Sequence, residues 1–407
     1  MASATQSDRG VIIVGAGPAG LFAALALKHA GLAPTLVAPR MDGSGDPRSS
    51  ALLGGSVRAL ERLGVWARVA EKAAPLRLMR LVDDTGGLVR APLFEGRSEE
   101  IGLDAFGYNL LNRDLNEGLR DAVAAAAIPV IEDKAVDVSL DADAATATLA
   151  SGRTITATLI AGADGRASLV RAAAGIDAVA TRYPQTAVTA NFQHSRPHDD
   201  ASTEFHTPTG PFTLVPLPGN RSSLVCVVTP ADADRLLAMD DATFSHEIER
   251  RSQAILGKVK VDPGRGRFDL SAMTPRSFAG RRAVLIGEAA HVVPPIGAQG
   301  LNLGLRDGAA LADCLSDAVA ASADIGGPEA LAAYDRARRA DIVSRTFAID
   351  TLNRSLLSPL MPVQALRGAG LWLMDRIGPV RRAFMREGLA PAMAEPRLMR
   401  DEVADAA

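Results

Sequence analysis

A chain of 407 residues has room for two domains, or for one large domain with an inserted lobe. Its 44 Lys and Arg against 47 Asp and Glu leave a formal net charge of -3, which removes any general electrostatic case for nucleic acid. Two cysteines, Cys226 and Cys314, cannot make a disulfide framework and suit a reducing cytoplasm. The opening residues carry no signal-peptide pattern. The apolar stretch from Val11 to Leu27 is broken by three glycines and Pro18 and followed by Lys28 and His29, which fits a nucleotide fold better than a membrane span.

Val11 to Val14 is a short all-apolar run, as expected of a buried parallel strand. Gly15, Gly17 and Gly20 follow at the spacing of a dinucleotide fingerprint. The first allows a tight turn, the second lets backbone approach a pyrophosphate, and the third lets the next helix pack close. Leu21 to Ala30 reads as that helix, its N-terminal N–H groups and positive dipole end aimed at phosphate. Pro34 to Val37 reads as the second strand. A glycine-rich turn packed on itself is the alternative; the strand–helix–strand frame favours the dinucleotide site. The carboxylate that normally grips the ribose at the end of the second strand is absent. That place falls at Ala38, and the first acid afterwards is Asp42. A missing charged hydrogen bond is worth about 1.5–3 kcal/mol.

Thr154 to Ile160 reads as a strand leading into Ala161–Arg171, A-G-A-D-G-R-A-S-L-V-R, where Asp164-Gly165 makes a turn that points a carboxylate out of the strand end. Ser168 and Arg171, three apart, share one face of the helix expected next. A plain Asp-Gly turn is an equal reading of this segment alone. Alternation in Thr186–Phe192, Thr203–His206, Phe212–Leu217 and Ser222–Val228, with a hairpin turn at Gly219-Asn220, predicts a sheet that walls a pocket. Phe205, Phe212 and Leu214 are candidate substrate contacts, with core packing the favoured reading. His194, His198 and His206 have no acidic or Cys partner at a ligand spacing, so no metal is expected. Ala283–Ile286 reads as a buried strand ended by Gly287-Glu288. Pro294, Pro295, Gly297 and Gly300 then make a stiff loop, with a helix from Leu301 carrying Asn302 near its start. Such a helix N-terminus could face the edge of a flavin that becomes negative on reduction. His291 could shuttle protons, although a hydrogen-bonded structural role is favoured. Leu356–Arg386 mixes apolar residues with five arginines. Helices packed on the domain are favoured there over a basic surface touching an anionic membrane. No G-x-S-x-G elbow supports a serine hydrolase.

The three motifs, in order and spacing, resemble those of the flavoprotein aromatic hydroxylases of the p-hydroxybenzoate hydroxylase fold, and most closely the UbiH-type ubiquinone-biosynthesis hydroxylases. Asp46–Trp66, Asn112–Leu119, Gly210–Pro218, Leu352–Leu357 and Arg381–Glu387 extend the resemblance over nearly the whole chain. It implies an α/β fold, with a Rossmann-like FAD-binding domain, an inserted β-sheet substrate domain and C-terminal helices. The expected FAD-binding stretches are 1–75, 98–180 and 272–345, with a substrate-side excursion at 76–97, the substrate domain at 181–271 and the helices at 346–407. By resemblance, Gly15, Gly17, Ala19 and Gly20 cradle the FAD pyrophosphate. Arg48 and Arg113 reach the ribityl and phosphate region, and Val136 meets the adenine through its backbone. Asp164 and Gly165 serve FAD and a transient NADH or NADPH. Gly287 and Glu288 take the ribityl contact, while Pro295, Gly300, Leu301 and Asn302 shape the pocket beside the flavin ring.

Two departures stand out: Glu288 replaces the family's usual Asp, and Pro294 replaces a His. The implied activity is hydroxylation of an aromatic ring by FAD, NAD(P)H and molecular oxygen, with a polyprenylated phenol as substrate and no side chain required as catalytic nucleophile or base. The implied setting is cytoplasmic, peripheral to the inner membrane face, with biosynthetic complex partners. The alternatives are a hydroxylase of a small soluble aromatic and a non-catalytic scaffold subunit.

Overall fold

Five strands of one sheet run parallel because each is followed by a crossover that returns the chain to the same edge. In the computed structural model, which describes residues 10–40, 46–86, 92–295, 297–357, 370, 372, 376–389 and 395–401, this six-stranded sheet has the order Ala279–Gly280, Ala283–Leu285, Leu159–Gly162, Gly10–Val14, Ala33–Ala38, Val130–Glu132. Only the Ala279–Gly280 edge pairs antiparallel. Gly10–Val14 is buried along its whole length, with Val11 opposite Leu159 and Gly10 opposite Ala33. A helix over Pro18–His29 follows the first strand. It begins three residues earlier than expected because Pro18 occupies its first turn, where the fixed φ of proline is pre-organised and its missing N–H costs nothing.

The run expected as one strand over Thr154–Ile160 is two. Thr154–Ala157 alternates exposed and buried residues and joins Ala145–Leu149 and Ala135–Leu140 in a three-stranded antiparallel sheet. Leu159–Gly162 is wholly buried and joins the main sheet. The break follows the change from one-sided to two-sided burial.

The second large sheet has seven strands, ordered Val259–Pro275, Ala178–His194, Arg221–Val228, Gly210–Leu217, Ala201–Thr207, Leu78–Asp83, Phe94–Arg97. The four alternating segments of the expected lobe all lie in it, joined at Gly219-Asn220 by a turn in which Gly219 has φ +74°. The 76–97 excursion adds the last two strands, through a parallel pairing of Leu78–Asp83 with Ala201–Thr207. The expected boundaries at 180 and 271 fall inside two 17-residue strands, Ala178–His194 and Val259–Pro275, that run on continuously past those points. One face of the sheet packs Phe192, Phe205, Phe212 and Leu214 against Phe244 and Ile248 of the Asp241–Arg251 helix. Phe205, Phe212 and Leu214 are therefore core residues. Phe205 and Phe212 meet edge to face, with ring centroids 5.9 Å apart.

A third sheet, of Ser49–Leu53, Gly107–Leu111 and Ala74–Leu76, packs on the Gly210–Leu217 strand of the seven-stranded sheet and on the Gln299–Ala320 helix. The Gln299–Ala320 helix crosses the Pro18–His29 helix at small residues. A Cβ on Gly304 would lie 3.2 Å from Ala19 Cβ, and one on Gly308 would lie 3.0 Å from Ala23 Cα. Behind it runs the Pro328–Leu357 helix. Of the C-terminal segment, the Gly378–Leu389 helix seats Met385 on Phe94 and Phe106, while Leu360, Met361, Leu371 and Leu373 lie outside the described residues.

Candidate active site

The parallel strands deliver their carboxyl ends to one edge of the six-stranded sheet, the place where such folds bind ligands. There the Gly15 N–H donates to Val37 O at 2.8 Å and the Ala163 N–H to Val14 O at 2.8 Å, which locks the first turn against the Asp164-Gly165 turn. A Cβ on Gly15, at φ +110°, would lie 2.2 Å from Ala163 O, and one on Gly20 would lie 2.1 Å from Gly15 O. These two glycines are demanded by the packing of the protein on itself. Gly17 differs: a Cβ there would meet nothing within 4 Å, and the residue lines a cavity of about 560 Å³. Gly17 is also the N-cap of the Pro18–His29 helix and offers no side-chain acceptor, so the N–H groups of Ala19 and Gly20 are directed toward that space. The cradle has the form and polarity of a pyrophosphate site.

The cavity extends from this turn to the seven-stranded sheet. Gly165, Arg166, Gly287 and Glu288 line it near the phosphate end, and Arg48, Pro295, Gly300 and Leu301 line it farther on. Gly297 at φ +64° and Ala298 at φ +55° turn the chain so that the Gln299–Ala320 helix starts at the cavity wall, two residues before the expected Leu301. A left-handed alanine costs about 1–3 kcal/mol and persists only where the surroundings impose it.

Glu288 receives two hydrogen bonds from Arg166, at 3.2 Å from Nε and 3.2 Å from Nη2. Both side chains are about half exposed, 48% and 53%. Such a pair adds little to stability and is free to rearrange around a ligand. Arg48 chelates Asp46 through Nε and Nη2, each at 2.8 Å, and stacks 4.5 Å above the Phe268 ring. Burial opposes the Asp46 charge, but the hydrogen bonds from the Arg48 side chain and backbone outweigh it and hold the carboxyl below its ordinary value.

Several expected roles change on inspection of the geometry. Asp164 turns its carboxylate onto the next helix, where Oδ2 accepts from the N–H groups of Leu169 and Val170 at 2.7 and 3.2 Å. Its Oδ1 is buried without a partner among the described residues. Ser168 is the N-cap of the Leu169–Ala173 helix, accepting from the Arg171 N–H at 3.0 Å, so the two do not simply share a face. The Asn302 side chain is spent inside the protein. Its Oδ1 accepts from Leu53 N at 2.9 Å and Ser56 Oγ at 2.7 Å, and its Nδ2 donates to Ala51 O and Ala298 O at 2.8 and 2.6 Å. Asn302 ties the Ser49–Leu53 strand to the helix start and does not line the cavity. Arg113 is exposed at the start of the Asn112–Ala125 helix, and Val136 is 49% exposed on its strand; neither lines the cavity.

The histidines have structural partners. His291 is buried, with Nε2 2.8 Å from Asp307 Oδ2. Asp307 also accepts from the Gly287 N–H at 2.9 Å and from Arg338 Nε at 2.7 Å. His194 lies between Arg196 O and Ser222 Oγ, at 2.7 and 3.0 Å, and His198 meets Leu217 O at 3.0 Å. His206 meets Glu204 at 2.9 Å. Among the described residues no group of His, Cys, Asp and Glu could hold a metal ion. Sequence reasoning passed over Arg166, which directly follows Asp164-Gly165, and Glu204, which strand alternation places on the face opposite Phe205.

The donor set fits FAD: a phosphate cradle that a Cβ would fill, two helix N-termini, an orphaned buried Asp164 oxygen and a carboxylate at Glu288 within one cavity wall or beside it. A family model described as an FAD binding domain matches residues 8–346. The chain is 34% identical to ubiquinone hydroxylase UbiL of Rhodospirillum rubrum over 404 residues, covering 96% of this chain and 92% of that one. It is 30% identical to the 3-demethoxyubiquinol 3-hydroxylase of Escherichia coli, covering 95% and 99%. Solved structures share the fold at lower identity. The p-nitrophenol 4-monooxygenase PnpA of Pseudomonas putida superposes with a TM-score of 0.76 at 21% identity, covering 96% of this chain and 100% of that one. Klebsiella pneumoniae HpxO, solved with FAD and uric acid, superposes with a TM-score of 0.74 at 19% identity, covering 95% and 98%. This chain belongs to the FAD-binding-domain family and, within it, to the FAD-dependent monooxygenases that include the ubiquinone-biosynthesis hydroxylases.

Proposed function

We propose that this enzyme hydroxylates the ring of a phenol carrying a polyprenyl tail, as a step of ubiquinone biosynthesis. The observation that carries the reading is the continuity of one cavity from the glycine turn at Gly17 to an apolar wall of Leu76, Leu78, Met79, Leu81 and Phe106. A phosphate-bearing cofactor suits the first end, and a ring with an apolar substituent suits the second. The activities named for the relatives in Rhodospirillum rubrum and Escherichia coli support the same reading.

In this proposal Gly15, Gly17, Ala19 and Gly20 hold the pyrophosphate, with Arg48, Arg166, Gly165, Gly287 and Glu288 along the ribityl chain. Gly300, Leu301 and the N-terminus of their helix face the ring edge that gains negative charge, and Pro295 closes the pocket beside it. When bound, FAD supplies the redox and oxygen-transfer chemistry, with NADH or NADPH as transient reductant. The chain's part is to orient the substrate ring, exclude water with the apolar wall, and stabilise developing charge through backbone N–H groups.

Purified holoenzyme should convert a prenylphenol to a product heavier by one oxygen, read by mass spectrometry. Consumption of NAD(P)H with no hydroxylated product from any phenol overturns the proposal. Turnover confined to phenols without a tail selects the small-aromatic reading.

We also propose peripheral contact with an anionic membrane through the C-terminal segment. Trp372, Ile377 and Val380 are exposed there, with Arg376 5.6 Å above the Trp372 ring. Among the described residues no helix is long and apolar enough to cross a membrane. Co-sedimentation with anionic but not neutral vesicles is the expected result, and no binding to either rejects this contact.

A further inference from the structure

Among the described residues, three carboxylates line the cavity: Glu288, Asp269 and Glu204. Glu288 is engaged by Arg166. Asp269 has a side chain 74% exposed and lies beside Arg267 at 3.5 Å. Glu204 differs from both, being only 15% exposed, on the fifth strand of the seven-stranded sheet. Cross-strand register puts Leu81 on one side of it and Thr213 on the other, with Val225 and Thr189 next in the same row, and all of these line the cavity. Its Oε1 lies 2.9 Å from His206 Nε2, and its Oε2 accepts from Thr213 Oγ1 at 3.2 Å. The imidazole is 5% exposed, so the Glu204 carboxylate in the chamber wall is backed by a histidine largely out of water. A carboxylate offers about four acceptor sites, so Oε2 retains capacity for one more donor from the chamber.

We propose that Glu204 is the proton acceptor for the substrate hydroxyl during hydroxylation, with His206 as its positioning residue. This rests on the reading of the enzyme as a phenol hydroxylase. As oxygen is delivered to the ring, the hydroxyl O–H bond breaks, its electron pair becomes the second bond of a ring carbonyl, and the proton bonds to Glu204 Oε2. When the ring carbon then loses its hydrogen as a proton to water, the carbonyl oxygen takes the proton back from Glu204 and the ring is aromatic again. The oxidising equivalent comes from the oxygen and NAD(P)H of the monooxygenase reaction; the carboxylate only borrows a proton. A carboxylate is suited to this step, because the hydroxyl becomes strongly acidic only as the ring is attacked. The other titratable and charged groups lining the chamber are His291, held by Asp307, then Asp269, and the Arg48 and Arg166 pairs toward the cofactor end, while Asp83 lies opposite His206 in the register of the adjacent strand and Arg267 beside Asp269.

The test compares wild-type holoenzyme with Glu204→Gln, Glu204→Asp and His206→Phe, using 2-geranylphenol as probe. Glu204→Gln is expected to keep its FAD content and its rate of flavin reduction by NAD(P)H within about twofold. Hydroxylated product should fall by roughly 10²–10⁴-fold, with the missing oxygen released as hydrogen peroxide. Glu204→Asp keeps the charge but withdraws it by one methylene; it covers the case in which the Gln variant fails to fold, and should also uncouple. His206→Phe removes the N–H bonded to Glu204, so it should lower kcat and the yield of product per NAD(P)H while leaving KM for the phenol and the FAD content unchanged. Coupled hydroxylation by Glu204→Gln near the wild-type rate overturns the assignment. If that variant does not fold, coupled hydroxylation by Glu204→Asp overturns it. A wild type that hydroxylates no phenol overturns the function proposed above instead.

Discussion

Gly17→Ala separates the demands of folding from those of binding. Gly17 sits at φ -69°, ψ 174°, which alanine adopts freely, and its added Cβ meets no protein atom within 4 Å. The apo-protein should therefore keep its stability to within about 0.5 kcal/mol, or gain slightly through a less flexible unfolded chain. FAD should bind more weakly, because the methyl group occupies the space where a pyrophosphate must approach the Ala19 and Gly20 N–H groups. Loss of one charge-assisted hydrogen bond costs about 1.5–3 kcal/mol, or roughly ten- to a hundredfold in Kd. Gly20→Ala is the contrast: its Cβ would lie 2.1 Å from Gly15 O, so it should unfold at lower temperature even without FAD. The assay is flavin-fluorescence titration of apo-protein beside thermal unfolding of the same samples. A Gly17→Ala protein that binds FAD as the wild type does would show that no phosphate approaches this turn, and the reasoning fails.

Asp307→Asn should cost about 3–5 kcal/mol, because it leaves Arg338 and His291 buried with half their partner removed. Burial opposes the Asp307 charge, yet His291 and Arg338 outweigh it and lower its pKa. A folded value below the unfolded value of about 3.9 gives stability that is full above that value and lost as pH falls toward the folded one. The loss of melting temperature on acidification below about pH 4 should thus be shallower in Asp307→Asn; an identical pH dependence would exclude this cluster as its source. Asn302→Ala strands the part-buried Leu53 N–H and the buried Ser56 hydroxyl and should lower stability by about 1–3 kcal/mol, measured by urea unfolding. It should also weaken FAD by loosening the helix start at Ala298, and unaltered FAD affinity would rule out that positioning role. Ala38→Asp restores an acid at the end of the Ala33–Ala38 strand and should tighten FAD by roughly tenfold or more in the same titration; no change means that the ribose is held by other groups.

Local chemistry made the nucleotide half legible. The Val11–Gly20 run, the Asp164-Gly165 turn and the Gly287-Glu288 strand end each carry their geometry in a few adjacent residues: apolar runs for two-sided burial and glycines for close approach, although the helix begins at Pro18, three residues before the expected Leu21. The alternation in Thr203–His206 and Phe212–Leu217 likewise announced strands whose faces differ. Other features depended on contacts between residues far apart in the chain. Nothing near Asn302 foretold that its amide would join Ala51, Leu53 and Ser56 some 250 positions away. Nor did any local signal pair Arg166 with Glu288, or the 76–97 excursion with Ala201–Thr207. Alternation could put Glu204 and His206 together on one strand face, but both faces of that strand are shielded, one by Phe244 and Ile248 and the other by the chamber. Which face received the cavity was decided only when the sheets packed, because burial of an apolar face is a property of what lies against it and not of the strand that carries it.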